Sequence, residues 1–140
     1  MESVLDVERQ AERFRALVLD PYAGSREGLR ASLEAENCVV EAAADALHAI
    51  ALMRAGSFDL AVIDLGLLPT RGIARSAWEL ARLFRAFNPS APLVLLAAEM
   101  RREIEAEAAC VCPSLVLEKP INPARLRAVV RQLRTESARG

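Results

Sequence analysis

Leu60-Ala61-Val62-Ile63-Asp64-Leu65 is the stretch that decides the fold. Four apolar residues run straight into a carboxylate. A short apolar run of this kind reads as a strand buried on both faces, as in a parallel sheet covered by helices. Asp64 would then stand where the strand leaves the sheet. In open α/β sheets that carboxyl edge is where ligands and chemistry collect. A turn-starting or helix-capping aspartate accounts for the same residue from this stretch alone. Two other strand ends decide between the readings.

Upstream, Ala16-Leu17-Val18-Leu19 is a first buried strand ending in Asp20, and Pro21 keeps Asp20 extended. Gly24 and Ser25 open a helix to about Asn37, with Leu29 and Leu33 one turn apart. Cys38-Val39-Val40 is a second, shorter strand. Asp45 can cap the next helix, where Ala46, Ala49, Ile50 and Met53 hold the i, i+3, i+4, i+7 spacing up to Gly56. Downstream of the central strand, Gly66 to Gly72 reads as a loop containing Pro69. A long helix follows, with Ile73, Ala77, Leu80, Phe84 and Phe87 on one stripe, and Asn88-Pro89 stops it. Trp78, beside that stripe, reads as core. Pro92-Leu93-Val94-Leu95-Leu96 is a fourth strand, and a charged helix spans about Met100 to Ala109. Leu115-Val116-Leu117 is a fifth strand leading into Glu118-Lys119-Pro120. Asn122 caps a last helix with Pro123 in its first turn, burying Leu126, Val129, Val130 and Leu133.

Five strands alternating with five helices give a parallel sheet with helices on both faces. The domain is expected over 15–135, with a tail at 136–140. Residues 1–14 form an N-terminal extension in which Val4, Val7, Ala11 and Phe14 predict an extra amphipathic helix, suited to docking or dimerisation.

Composition narrows the function. A chain of 140 residues, 53% of them hydrophobic, can build one real core. The net charge of −1 gives no reason to expect nucleic acid or an anionic membrane surface as partner. No apolar run approaches the roughly 18 residues of a membrane span, and the N-terminus lacks the pattern of a signal peptide. Three cysteines, an odd number, suit a reducing cytoplasm.

In such a sheet the carboxyl ends of the first, third and fifth strands can meet. Here they carry Asp20, Asp64 and Lys119. Two carboxylates and an ammonium make a phosphoryl or divalent-metal site: a carboxylate can accept a phosphoryl group, and a cation must hold the incoming oxygens. Lys119 is the only lysine among 18 basic residues; the rest are arginine. A lone lysine at that strand end points to a need for a compact ammonium that arginine does not meet.

These pieces together resemble the receiver domain of two-component response regulators, of the chemotaxis-regulator kind. The resemblance covers about residues 15–135. It is carried by Leu17-Val18-Leu19-Asp20, by Phe58-Asp59-Leu60-Ala61-Val62-Ile63-Asp64-Leu65, by Ala43-Ala44-Asp45-Ala46, by Pro92 to Leu96, and by Lys119-Pro120. It implies the flavodoxin-like strand order 2-1-3-4-5. It implies Asp64 as phosphoacceptor, Asp20 and Asp64 as holders of Mg²⁺, Lys119 pairing with the phosphoryl group, and a cis bond before Pro120. The implied partners are a histidine kinase or phosphotransfer protein, and a downstream protein docked on the last two helices and the fifth strand, or a second copy. No enzyme activity is implied beyond self-phosphorylation from a donor and autodephosphorylation.

The departures from the family are as specific. Pro21 stands where a second acid is usual and offers no oxygen to Mg²⁺, so metal binding is expected to be weakened. The usual Thr or Ser of the fourth strand is Ala97, and the usual aromatic of the fifth is Val116. The loop after Asp64 carries its proline one residue late and is about five residues longer. An atypical receiver is expected, with weakened phosphorylation and switching; the alternative is a phosphorylation-independent pseudo-receiver that works as an interaction or dimerisation module. A haloacid-dehalogenase-like phosphatase with Asp20 as nucleophile is disfavoured, because Tyr22 occupies the position of its second acid. Cys110-Val111-Cys112 reads as buried or strand-edge thiols, and His48 as a surface residue. Arg101, Arg102, Arg125, Arg127 and Arg131 lie on the last two helices, on the expected partner face or a solvated one.

Overall fold

The computed structural model describes residues 13–66 and 76–139. Val4, Val7 and Ala11 of the expected N-terminal helix, Ile73 at the start of the long helix, and most of the extended loop lie outside the described residues, while Phe14, the last residue of that expected helical stripe, begins the first strand instead. Ten elements alternate: β1 (Phe14–Leu19), α1 (Ala23–Glu34), β2 (Cys38–Ala43), α2 (Ala46–Ala55), β3 (Leu60–Asp64), α3 (Ala77–Phe87), β4 (Leu93–Ala97), α4 (Arg102–Val111), β5 (Leu115–Glu118) and α5 (Pro123–Arg139). All pairings are parallel, in the order β2-β1-β3-β4-β5.

The two-residue period of each strand divides the core into two layers. Leu17, Leu19, Ala61, Ile63, Leu93 and Leu95 face α2, α3 and α4, where they meet Met53, Leu80 and Phe84. Ala16, Val18, Leu60, Val62, Val94 and Leu96 face α1 and α5, where they meet Leu29, Leu33, Leu126 and Val130. Every residue of β3 and β4 is buried, which is why the decisive stretch reads as continuous apolar sequence rather than as an alternation. Trp78 packs, partly buried, against the first layer.

Caps act where the sequence places them. The Asp45 carboxylate accepts the His48 N–H at 2.8 Å, and Asn122 Oδ1 accepts from the Ala124 and Arg125 N–H groups. Ser76 caps α3. Several boundaries differ from expectation. β1 starts at Phe14, because Arg15 is held to the segment before β3 by two bonds: its N–H donates to Asp59 Oδ2, and its carbonyl accepts the Asp59 N–H. β2 runs six residues, paired with β1 along its whole length. α1 ends at Glu34, and Asn37 takes a left-handed turn (φ 62°) before β2. Gly56 ends α2 in an extended conformation rather than a left-handed one. α5 continues to Arg139 through residues expected to be a tail.

Candidate functional site

Register brings the three strand ends together. Leu19 pairs with Ile63, so Asp20 and Asp64 leave the sheet side by side. Ala97 pairs with Glu118, and the Lys119 N–H donates to the Ala97 carbonyl at 2.8 Å. That bond carries Lys119 back over the edge. The Lys119–Pro120 bond is cis, as expected.

The three side chains meet. Asp20 is wholly buried and Asp64 is 3% exposed. The Lys119 ammonium touches Asp64 Oδ2 and lies 3.5 Å from Asp20 Oδ2. The other carboxylate oxygens are held by backbone: Asp20 Oδ1 accepts the Tyr22 N–H at 2.9 Å, and Asp64 Oδ1 accepts the Gly66 N–H at 2.7 Å. Arg26 adds a bond to the Asp20 carbonyl. Two opposing influences act on the lysine. Burial pulls its pKa down, while the hydrogen bond and charge of Asp64, followed by those of Asp20, outweigh burial and hold the ammonium above the usual lysine range.

Three further residues enter the site. Ser25, in the first turn of α1, donates to Asp20 Oδ2 and accepts from Lys119 Nζ at 3.2 Å. The Tyr22 ring lies over the same ammonium, 5.3 Å from Nζ to the ring centre. Gly66 sits so close that a Cβ there would come 3.0 Å from Asp64 Oδ1. Ser25 lies five residues beyond Asp20, in the first turn of α1, where a serine reads along the chain only as a helix opener. Nothing in the sequence marks Tyr22 or Gly66 as members of the site.

The donor set suits a hard cation. Mg²⁺ is commonly held by one or two carboxylates, with water and phosphate oxygens completing its shell. Asp20 and Asp64 supply two carboxylates on one edge. No cluster of three or more histidine, cysteine or acidic side chains capable of holding a metal occurs among the described residues. Ala97 is buried at the end of β4 and Val116 is half-buried in β5; an alanine and a valine place neither a polar nor an aromatic group there.

Other expected features take different places. Cys110 and Cys112 are exposed rather than buried, because α4 runs on to Val111 and Cys112 takes a left-handed cap (φ 52°) after it. Cys38 is the buried thiol, and burial pushes its pKa up. His48 is exposed. Arg131 turns to the α1 flank and pairs with Glu36 at 3.2 Å. Arg127 is half-buried, while Arg101, Arg102 and Arg125 are exposed.

Known proteins give a consistent frame. The response regulator receiver domain family matches residues 16–131. No protein with a curated description matches the chain. Among solved structures, a CheY-like receiver domain protein of Methanospirillum hungatei is 21% identical with a TM-score of 0.81, over 91% of this chain and 98% of that one. The chemotaxis response regulator CheY4 of Vibrio cholerae is 23% identical with a TM-score of 0.75, over 86% and 98%. A response regulator of Burkholderia pseudomallei, solved with a phosphorylated aspartic acid, a calcium ion and citrate, is 21% identical with a TM-score of 0.73, over 90% and 69%. At these identities the structures establish the shared fold; the family match, over most of the sequence, establishes that this chain belongs to the response regulator receiver domains.

Proposed function

We propose that this receiver accepts a phosphoryl group on Asp64 from a histidine kinase or phosphotransfer protein, and that its response is weak. The observation that carries the reading is the convergence of Asp20, Asp64 and Lys119 on one sheet edge. Receiver domains are signalling modules rather than enzymes in their own right, and they bind Mg²⁺ or Ca²⁺ at this acidic edge. Asp20 and Asp64 would hold the ion, which supplies charge stabilisation to the transferring group. Attack by an Asp64 oxygen forms an oxygen–phosphorus bond as the donor's nitrogen–phosphorus bond breaks. Lys119 is placed to follow the new negative charge from the Asp64 carboxylate to the phosphoryl oxygens.

Pro21 lowers the rate. A well-held metal contributes several kcal/mol, and each ~1.4 kcal/mol is tenfold. One missing carboxylate ligand therefore costs roughly 10²-fold, without abolishing transfer. Ala97 and Val116 lower the response: neither a hydroxyl nor an aromatic ring at those positions can change partner when phosphate arrives. Three thiols support a reducing compartment, the cytoplasm, as its place.

Ala97 and Val116 also favour a second reading, a pseudo-receiver that binds its partner, or a second copy, without phosphorylation. Intact mass after incubation with a small acyl phosphate and Mg²⁺ separates the two. A phosphoryl increment in the wild type that is absent from Asp64→Asn supports the first. No increment at any Mg²⁺ concentration overturns it in favour of the second.

A further inference from the structure

Ser25 is the side chain at this edge that the pattern of acids and lysine leaves unexplained. A serine in the first turn of a helix ordinarily spends its hydroxyl on its own backbone. Ser25 does not. The N-cap of α1 is Tyr22, which makes no side-chain cap bond, and the Ser25 hydroxyl instead reaches across to Asp20 Oδ2 at 2.5 Å and to Lys119 Nζ at 3.2 Å. The same ammonium touches Asp64 Oδ2 and lies 3.5 Å from Asp20 Oδ2. One positive charge therefore faces three oxygens: a carboxylate oxygen of β1's end, a carboxylate oxygen of β3's end, and a hydroxyl from α1. All three are hard donors of the kind that Mg²⁺ takes, and a serine hydroxyl is an accepted Mg²⁺ ligand in phosphate-handling sites.

We propose that Ser25 is the third protein oxygen of the divalent-cation site, supplied from α1 because Pro21 supplies none. The inference rests on the reading of Asp20 and Asp64 as the cation-holding pair. Ser25 now donates its proton to Asp20. With a cation present the proton turns away and the oxygen lone pair faces the ion. A neutral oxygen adds less than a carboxylate would, so the site remains a weak one, with its shell completed mainly by water.

Calorimetric Mg²⁺ titration of the full chain tests this. Ser25→Ala is expected to weaken Mg²⁺ at least about tenfold, and Ser25→Thr, which keeps the hydroxyl, to retain wild-type affinity. A second arm covers an unstable alanine variant. In a background carrying Cys110→Ser and Cys112→Ser, which removes the exposed thiols, Ser25→Cys should weaken Mg²⁺ and tighten Cd²⁺, because a soft sulfur replaces a hard oxygen. Equal Mg²⁺ affinity in wild type and Ser25→Ala, or no gain in Cd²⁺ with Ser25→Cys, overturns the proposal. Mg²⁺ binding that disappears in Asp64→Asn yet ignores Ser25 overturns it alone. A wild-type chain that takes no Mg²⁺ overturns the cation reading of the site, and the proposal with it.

Discussion

The Lys119 ammonium bridges Asp64 and Asp20, touching the first carboxylate and standing 3.5 Å from the second. Two buried negative charges thus share one positive charge, and the cluster carries a net charge of −1. That imbalance predicts an asymmetry. Lys119→Met leaves two uncompensated carboxylates in a buried site and should cost up to about 3 kcal/mol, the low end for a broken buried pair, since the lysine is partly exposed. Asp20→Asn removes the surplus charge and should leave stability within about 1 kcal/mol of wild type, or raise it. Urea unfolding of both variants checks this. Equal losses in the two would mean that the pair is not electrostatically coupled.

Pro21→Asp adds an acid beside Asp20. On the ligand argument it should speed acyl-phosphate labelling of Asp64 by roughly 10²-fold and lower the Mg²⁺ needed for half-maximal rate. It also adds a third carboxylate to a cluster already short of positive charge, so the metal-free protein should melt at a lower temperature. The rate is read by intact mass against time. A Pro21→Asp protein no faster than wild type would show that the missing ligand does not limit the reaction.

The fold was legible because β3 and β4 are buried on both faces and the helices bury most of their expected stripes, Phe87 at the end of α3 being the exception among the described residues, 47% exposed. The Asp20, Asp64 and Lys119 trio was legible because Asp20 and Asp64 each terminate an apolar run and Lys119 follows the Leu115–Leu117 run after one intervening residue, just before Pro120. Ser25 was not: a helix-opening serine and a serine turned across to a neighbouring strand end look alike along the chain. The same holds for Asn88. It marks the end of α3, as its Asn-Pro sequence suggests, but its buried side chain also accepts the Phe58 N–H at 2.9 Å, thirty positions away. Cys110 and Cys112 were misread because the left-handed turn at Cys112 depends on how α4 meets β5, which periodicity does not encode.

Asn88 carries a stability prediction. Asn88→Ala strips the partner from the Phe58 N–H, a buried donor, and should cost about 1–3 kcal/mol. Asn88→Asp keeps an acceptor at that position and should cost less near neutral pH. Chemical denaturation of the two variants separates the lost hydrogen bond from any general effect of changing the α3 terminus. A harmless alanine would mean that water reaches the Phe58 N–H.

Lys119 also sets an alkaline limit. Its ammonium is held above the unfolded lysine value of ~10.4, because Asp64 and Asp20 outweigh the effect of burial. Between that value and the higher folded one, the native state binds more protons than the unfolded state, so stability falls as pH rises. The stabilisation is fully present below about pH 10 and is lost as pH climbs through the folded pKa. Stability of wild type and Lys119→Met, measured from pH 7 to the alkaline limit, should therefore converge at high pH: the wild type loses its advantage while the variant lacks this limb. As the only lysine in the chain, Lys119 gives a single Nζ resonance after ¹⁵N labelling, so its titration can be followed directly. Parallel stability curves for the two proteins above pH 10 would contradict the assignment of this limb to the Asp64–Lys119–Asp20 cluster.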